Sequence, residues 1–507
     1  SIQLVIYEPS LNVFFKVIEN IDLSFLFEDR IPALIVDGLN GEEKKAILEK
    51  LVTLANIEFI KHYENRSCAA LFSAQVIDFM KLLGKTVEDV IVGRNTGIRY
   101  SAVEMDNLFH NIKYLCEGSI TTQLCDIIPT DIPAIIVSAG PSLNKNIMEL
   151  KGAKNKAFIV AVDTAVRPLV NAGIIPDMYV IVDGLKPKEL LDFDEAKRIP
   201  LMPSITSTKE ILENHTGKKI FWFEGQRFIW SMMMMNGVPF STVACGGSVA
   251  CSAFSLVYKL GFSRIILVGQ DLALTGNKTH ADGTFKSIMD EIDTSRCIKV
   301  PGNYEEEVPT RGDFKLYLDW FNYYIKGCEG IHVINATEGG AKIDNTEIMT
   351  LHDAIMRECI KEVDIDACFE KLKPIFNAEQ QHKALEYLKT FPEMYRKLKK
   401  KVIKLNKEYQ KLKTICGKSI IDKNAYLKAL KNIKNLTQEI ENHELYDTIS
   451  CTLTVANYII ESEQFYEEDT VAAEGLQIAK QGIAYTKMVE QCIDLFMPLT
   501  EETLLTL

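Results

Sequence analysis

The chain has 507 residues, a formal net charge of −12, and apolar and charged fractions of 47% and 25%. A chain of this length is expected to form about three domains, each able to bury its own core. Its acidic balance argues against a nucleic-acid binder working through its overall field, and no apolar run approaches the ~18 residues of a membrane span. Twelve cysteines, scattered from Cys68 to Cys492, show neither a CxxC pair nor zinc-ligand spacing. They are expected to be reduced, mostly buried thiols of a cytoplasmic protein with no nucleic-acid or membrane partner. Ser1 opens no signal-peptide pattern, and without an initial Met the first domain is expected to be entered partway.

The first part, residues 1–115, opens with Gln3–Glu8, a strand ending in an acid, and a helix around Val13–Ile18. A second strand, Ala33–Val36, ends at Asp37-Gly38. Acids at strand ends occur in Rossmann-like sheets, where they can bond a ribose hydroxyl. No glycine-rich βα turn precedes Glu8. Either that turn lies upstream of Ser1 or this part binds no nucleotide.

The central part, residues 116–355, alternates apolar strands with helices. Strand 134–138 enters the turn Ala139-Gly140-Pro141-Ser142, 157–162 ends at Asp163-Thr164, 178–182 at Asp183-Gly184, and 265–268 at Gly269-Gln270-Asp271. Continuous apolar strands of this kind predict a parallel sheet covered on both faces, which binds ligands at the carboxyl ends of its strands. Gly140 allows a close backbone approach to an anion. The pair Gly246-Gly247 before Ser248 opens the helix Val249–Leu260 and offers a second anion-binding turn at a helix start.

In the loop after Asp271, His280 could serve as a general base oriented by a carboxylate, or simply be solvated; Asp271 and Asp282 could instead hold a divalent cation on a diphosphate. Thr337, Glu338 and Lys342 follow the strand 331–335, where Glu338 and Lys342 either line the cleft or cap the next helix. Met232–Met235 reads as adaptable packing. The last part, residues 356–507, is helical. Leu398, Val402, Leu405, Tyr409, Leu412 and Cys416 form an apolar seam at heptad period, and Tyr426, Leu430, Ile433 and Ile440 form a second. Two antiparallel helices joined around Gly417–Asn424 would account for both, and the lysines at 397–401 read as a solvated face.

The order of these segments, Val137-Ser138-Ala139-Gly140-Pro141-Ser142-Leu143, Val162-Asp163-Thr164-Ala165, Pro176-Asp177, Val182-Asp183-Gly184, Val268-Gly269-Gln270-Asp271 and Ala336 to Ala341, resembles the motility accessory factor family. The fold that likeness implies is α/β: a central Rossmann-like parallel sheet resembling a bacterial sialyltransferase domain, a partial Rossmann-like domain before it and an all-α domain after it. The activity implied is transfer of a nonulosonic acid (pseudaminic or legionaminic) from its CMP donor to Ser or Thr of flagellin. By the same likeness Ser138, Gly140, Ser142, Asp163, Thr164, Gly247 and Ser248 contact the nucleotide, and Asp183, Gln270, Thr337, Glu338 and Lys342 the rest of the substrate. His280 is the general base, with Asp271 its alternative or orienter. Where the sialyltransferases carry Asn-Gly-Pro, this chain has Ala139-Gly140-Pro141. No resident metal or cofactor is required, although Mg²⁺ would be compatible. The central part also resembles archaeal 6-hydroxymethylpterin diphosphokinases, for which Asp163, Asp183 and Asp271 would hold Mg²⁺ on ATP. A non-catalytic flagellin-binding protein is a third alternative.

Overall fold

Strands appear where the sequence runs apolar between turn residues. In chain order they are β1 (Val5–Glu8), β2 (Ala33–Val36), β3 (Ser119–Ile120), β4 (Ala134–Val137), β5 (Phe158–Val162), β6 (Met178–Ile181) and β7 (Leu201–Pro203). They continue with β8 (Ile220–Phe221), β9 (Arg264–Val268), β10 (Ile298–Pro301), β11 (Glu307–Thr310), β12 (His332–Asn335) and β13 (Glu347–Ile348). The structure, a computed structural model, describes residues 4–24, 31, 33–53, 56–223, 225–285, 294–295, 297–450, 452–453 and 470–506. Contacts group the chain into two compact units, residues 1–102 with 393–497, and residues 103–392 with 498–507.

In the second unit seven strands form one parallel sheet in the order β13-β12-β9-β4-β5-β6-β7. Strands β4, β5 and β6 are buried along their whole length, as their unbroken apolar sequences require of strands covered on both faces. The chain steps from β4 outward to β7, then returns to the other side of β4 to lay down β9, β12 and β13. Between β4 and β9 the order therefore reverses, and crevices for ligands form outside strand ends at such a point. Helix Val249–Lys259 starts on the Ser248 hydroxyl, which accepts from the Ala250 N–H at 3.2 Å. The helix stops before Gly261, whose φ of +93° suits glycine. Residues Ala250 to Val257 of this helix are all buried.

The 45-residue helix Ser73–Glu117 supplies two asparagines to the ends of β6 and β7. The Asn107 amide donates to the carbonyls of Gly184 and Thr206 at 2.9 and 3.1 Å, and Asn111 to those of Ile205 and Ser207 at 3.0 and 2.8 Å. Both side chains are buried, so these bonds satisfy carbonyls that leave the sheet with no strand partner. They fix the Asp183–Thr208 end of the sheet.

In the first unit β1 and β2 pair in parallel from Val5–Ala33 to Glu8–Val36. Tyr7 stacks on Phe79 with centroids 4.1 Å apart, above a small core of Ile35, Leu48 and Phe79. Both strand-end acids have local partners. Asp37 accepts from Tyr7 at 2.5 Å and Lys44 at 3.1 Å, and Glu8 accepts from the Ser10 N–H at 2.9 Å.

Within the same unit lie helices Phe391–Cys416, Lys423–Glu441 and Val471–Thr506, counting the first from Glu393 and the last to Met497. Leu398, Val402, Leu405, Leu412 and Cys416 are buried along the first seam. The pairs Lys401–Glu439 and Glu408–Asn432, each at 3.1 Å, advance in opposite directions, so the first two helices run antiparallel. The third also runs against the first, as Lys399–Asp494 and Asn406–Thr486 show at 2.7 and 2.6 Å. Sequence periodicity did not reveal this third partner. It packs through Gly475 and Gly482, where a Cβ would collide with the Cys416 sulfur and the Tyr409 ring. Among the described residues no helix is long and apolar enough to cross a membrane.

The Gly482–Tyr409 approach gives a stability test. Gly482→Val gains a few tenths of a kcal/mol in helix propensity but overpacks the ring, at about 1–3 kcal/mol. The denaturation midpoint of the helical unit should fall. Tyr409→Ala in the same chain should make the valine tolerated, and a Gly482→Val midpoint at or above the parent's would contradict the packing.

Candidate functional site

At the β4–β9 switch point the turn after β4 is held against the turn after β9. The register carries Ser138 alongside Gly269: the Ser138 N–H donates to the Val268 carbonyl, and the Gly140 N–H to the Gly269 carbonyl, each at 2.8 Å. A Cβ on Gly140 would collide with the Asp271 carboxylate and stand 2.5 Å from the Gly269 carbonyl. The anion that Gly140 admits here is thus the protein's own. Asp271 accepts from the Ser142 hydroxyl at 2.6 Å and from the Ser142 N–H at 3.2 and 3.3 Å. Its backbone is clamped from the other side: the Asp271 carbonyl takes the Ala341 N–H at 2.7 Å, and a Cβ on Gly340 would lie 2.5 Å from the Asp271 Cα. Asp271 is only 3% exposed. Burial pushes its carboxyl up from the ordinary aspartate value, an effect that the Ser142 bonds and the Lys145 charge partly offset.

A line of polar groups continues along this edge. The Ser138 hydroxyl donates to Gln270 Oε1 at 2.5 Å, the Gln270 N–H to the Thr337 hydroxyl at 3.2 Å, and the Thr337 N–H to Asn335 Oδ1 at 3.2 Å. All four residues are buried. Glu338 stands at φ +57°, and its Oε1 accepts from Asn146 at 3.0 Å and from the Leu351 N–H at 2.9 Å. The bond from Leu351 joins it to the start of helix Leu351–Glu358, as the capping role requires. Lys342 is exposed, and its N–H donates to the Pro301 carbonyl at 2.8 Å. The loop bearing His280 is laid over the β4 turn by the Ala281 N–H on the Ala139 carbonyl at 2.8 Å and the Asp282 N–H on Asn144 Oδ1 at 3.0 Å. His280 Nδ1 is 2.9 Å from the Thr279 hydroxyl, and Asp282 pairs with Lys278 at 3.0 Å.

A second group gathers at β5 and β6. Asp163 is 1% exposed and begins helix Asp163–Asn171; its Oδ1 accepts from the Thr164 N–H at 2.7 Å. Its Oδ2 lies 2.9 Å from the Lys186 ammonium, whose side chain is 16% exposed. Asp183 Oδ1 accepts from the Leu185 N–H at 2.9 Å and shapes the turn that presents Lys186. Gly247 is exposed at φ +78°, and the Tyr317 ring lies 3.2 Å from where its Cβ would stand. Burial raises the Tyr317 phenol, reinforced by Asp313 and partly offset by Arg311 and Lys186. Lys186 and Tyr317 were not singled out from the sequence. The spacing Asp183-Gly184-Leu185-Lys186, a cation just past a strand-end turn, was the signal available for the lysine.

The switch-point architecture and the buried polar edge define a doubly wound, Rossmann-like α/β domain with its candidate site at the strand ends. Residues 106–277 match the family model of 6-hydroxymethylpterin diphosphokinase MptE-like proteins. An uncharacterized protein of Treponema pallidum (strain Nichols) is 24% identical over 144 residues, 28% of this chain and 67% of that protein. The solved structure of a MAf glycosyltransferase from Magnetospirillum magneticum AMB-1 superposes with a TM-score of 0.60 at 15% identity, over 99% of this chain and 75% of that one. The two likenesses support the resemblance to the motility accessory factor and MptE-like proteins, and at this identity the structural one is a likeness of fold.

Two tests address the junction. Gly140→Ala should destabilise the second unit by about 1–3 kcal/mol as its methyl drives Asp271 off Ser142; an unchanged denaturation midpoint would contradict the clamp. Asp271→Asn tests the buried charge. Because the folded carboxyl titrates above the unfolded one, its stability contribution is complete below about pH 4 and is lost as pH rises through the folded value. The midpoint of Asp271→Asn minus that of the parent should therefore grow more positive between pH 4.5 and 7.5, and a constant or shrinking difference would refute the assignment.

Proposed function

We propose that the chain is a cytoplasmic glycosyltransferase that moves a nonulosonic acid from its CMP donor to a Ser or Thr hydroxyl of flagellin. The observation that carries this is the fold likeness to a MAf glycosyltransferase across 99% of the chain. The polar carboxyl edge supports it, being the place where such sheets hold a nucleotide. In the reaction the acceptor oxygen bonds to the anomeric carbon, the bond from that carbon to the phosphate oxygen breaks, and CMP departs with the electron pair. A hydroxyl is a weak nucleophile, so a base removes its proton. His280 takes that role, on the loop that Ala281 fastens over Ala139. Asp271, enclosed by Gly140, Ser142 and Gly340, acts as a positioning residue for the turn. The reaction as written balances without a metal ion.

A second reading rests on the MptE-like match over residues 106–277: ATP-dependent diphosphorylation of a pterin. It would draw its Mg²⁺ ligands from Asp163, Asp183 and Asp271. Two of these are committed elsewhere, Asp163 to Lys186 and Asp271 to Ser142.

Incubation with flagellin and a CMP-activated nonulosonic acid should release CMP and raise the flagellin mass by one sugar residue. His280→Ala should slow transfer by about 10²- to 10⁴-fold and leave CMP affinity within a few-fold. Absence of CMP binding by calorimetry, with flagellin modification intact in the His280→Ala strain, would sink the proposal. EDTA-sensitive turnover of a pterin with ATP would establish the second reading in its place.

A further inference from the structure

An activated nonulosonic acid brings two negative charges to the site, a phosphodiester and a carboxylate, and the chain that must hold it carries a net charge of −12. A cation at the strand ends would offset them. Several line the edge. Arg311 is 41% exposed and forked onto Asp313; Lys278 is 55% exposed and pairs with Asp282 in the same loop. Lys145 is exposed and donates to the Glu338 carbonyl at 2.8 Å. Lys342 is exposed.

Lys186 differs from all of these. Its side chain is 16% exposed, and it is anchored by a carboxylate that is itself 1% exposed. An ion pair this sheltered is screened less than a surface pair, and the lysine sacrifices little further freedom when it takes a ligand. An ammonium carries three donors and can face an anion while it stays paired with Asp163. Its surroundings are also built. The Asn107 amide bonds the carbonyl of Gly184 at 2.9 Å, Asp183 bonds the Leu185 N–H at 2.9 Å, and the charge of Lys186 reaches Tyr317, whose ring covers Gly247.

We infer that Lys186 is the residue that binds the phosphate of the CMP donor and stabilises it as it leaves, and that Asp163 is a positioning residue holding Lys186 in place and not itself a nucleotide contact. The inference rests on the proposed CMP donor. As the donor bond breaks, negative charge grows on the phosphate, and a fixed ammonium there lowers the barrier more than it aids ground-state binding.

Removing Lys186 alone would strand a buried carboxylate, a change that can unfold a domain. The test therefore compares Asp163→Asn, whose amide oxygen can still accept from Lys186 and keep it in place, with Asp163→Asn/Lys186→Met, in the full chain, titrating CMP and cytidine by calorimetry. Cytidine has the base and ribose but no phosphate. Adding Lys186→Met should weaken CMP binding about 10- to 100-fold, the value of a charge-assisted bond, and leave cytidine binding within about threefold. Lys186→Arg in the parent should retain CMP affinity to within about tenfold. Loss of CMP and cytidine together would mark Lys186 as structural and overturn the inference, as would no change in either. A parent chain that binds no CMP overturns the donor class and the inference with it. A parent that binds CMP through Lys186 but transfers nothing to flagellin overturns the proposed reaction and leaves the phosphate contact standing.

Discussion

The carboxyl edge of the central sheet is organised around one buried charge, Asp271. Three loops meet on it: the β4 turn through Ser142 and Gly140, the β9 turn that bears it, and the β12 turn through Gly340 and Ala341. Two of those glycines can be nothing else without displacing the aspartate. A carboxylate 3% exposed is costly to desolvate, and the Ser142 hydroxyl and N–H return part of that cost as charge-assisted bonds. The arrangement therefore trades stability for geometry. It holds the switch point in a single conformation, as a site needs if its groups are to face a ligand without rearrangement.

That constraint divides the polar residues of the edge into two kinds. Ser138, Gln270, Thr337 and Asp271 bond to one another or to the turns that carry them, and they are buried. Their work is to fix loops. Thr164, Gly247, Lys186 and His280 are partly or fully exposed, and they stand at loop tips or helix starts. Chemistry on a ligand falls more naturally to this second kind, supported by the first. Asp163 joins the two, buried like the scaffold yet paired with the cation of the exposed set.

How much of this could be read from the sequence depended on the range of the interaction. Parallel strands β4, β5, β6 and β9 were legible because burial on both faces leaves an unbroken apolar run. The seam from Leu398 to Cys416 was legible because a helix repeats its buried face at fixed spacing. Its packing against Val471–Thr506 was not, since Gly475 and Gly482 contribute an absence of side chain that has meaning only opposite Cys416 and Tyr409. The strand-end polar residues were found as a set, but their partners were not. Nothing local says that Asp271 turns toward Ser142, 129 positions earlier in the chain, or that Asp163 meets Lys186. Glu338 illustrates the same limit: its bond from the Leu351 N–H at 2.9 Å, 13 positions later, is not written in the sequence around it.

The position at which this chain departs from the sialyltransferase pattern acquires a physical cause from the same contacts. Ala139 stands where those enzymes carry asparagine before the Gly-Pro turn. Here it is 4% exposed, and its carbonyl receives the Ala281 N–H. A longer polar side chain at this buried position would demand hydrogen-bond partners inside the junction. A small residue lets the loop close onto the end of β4.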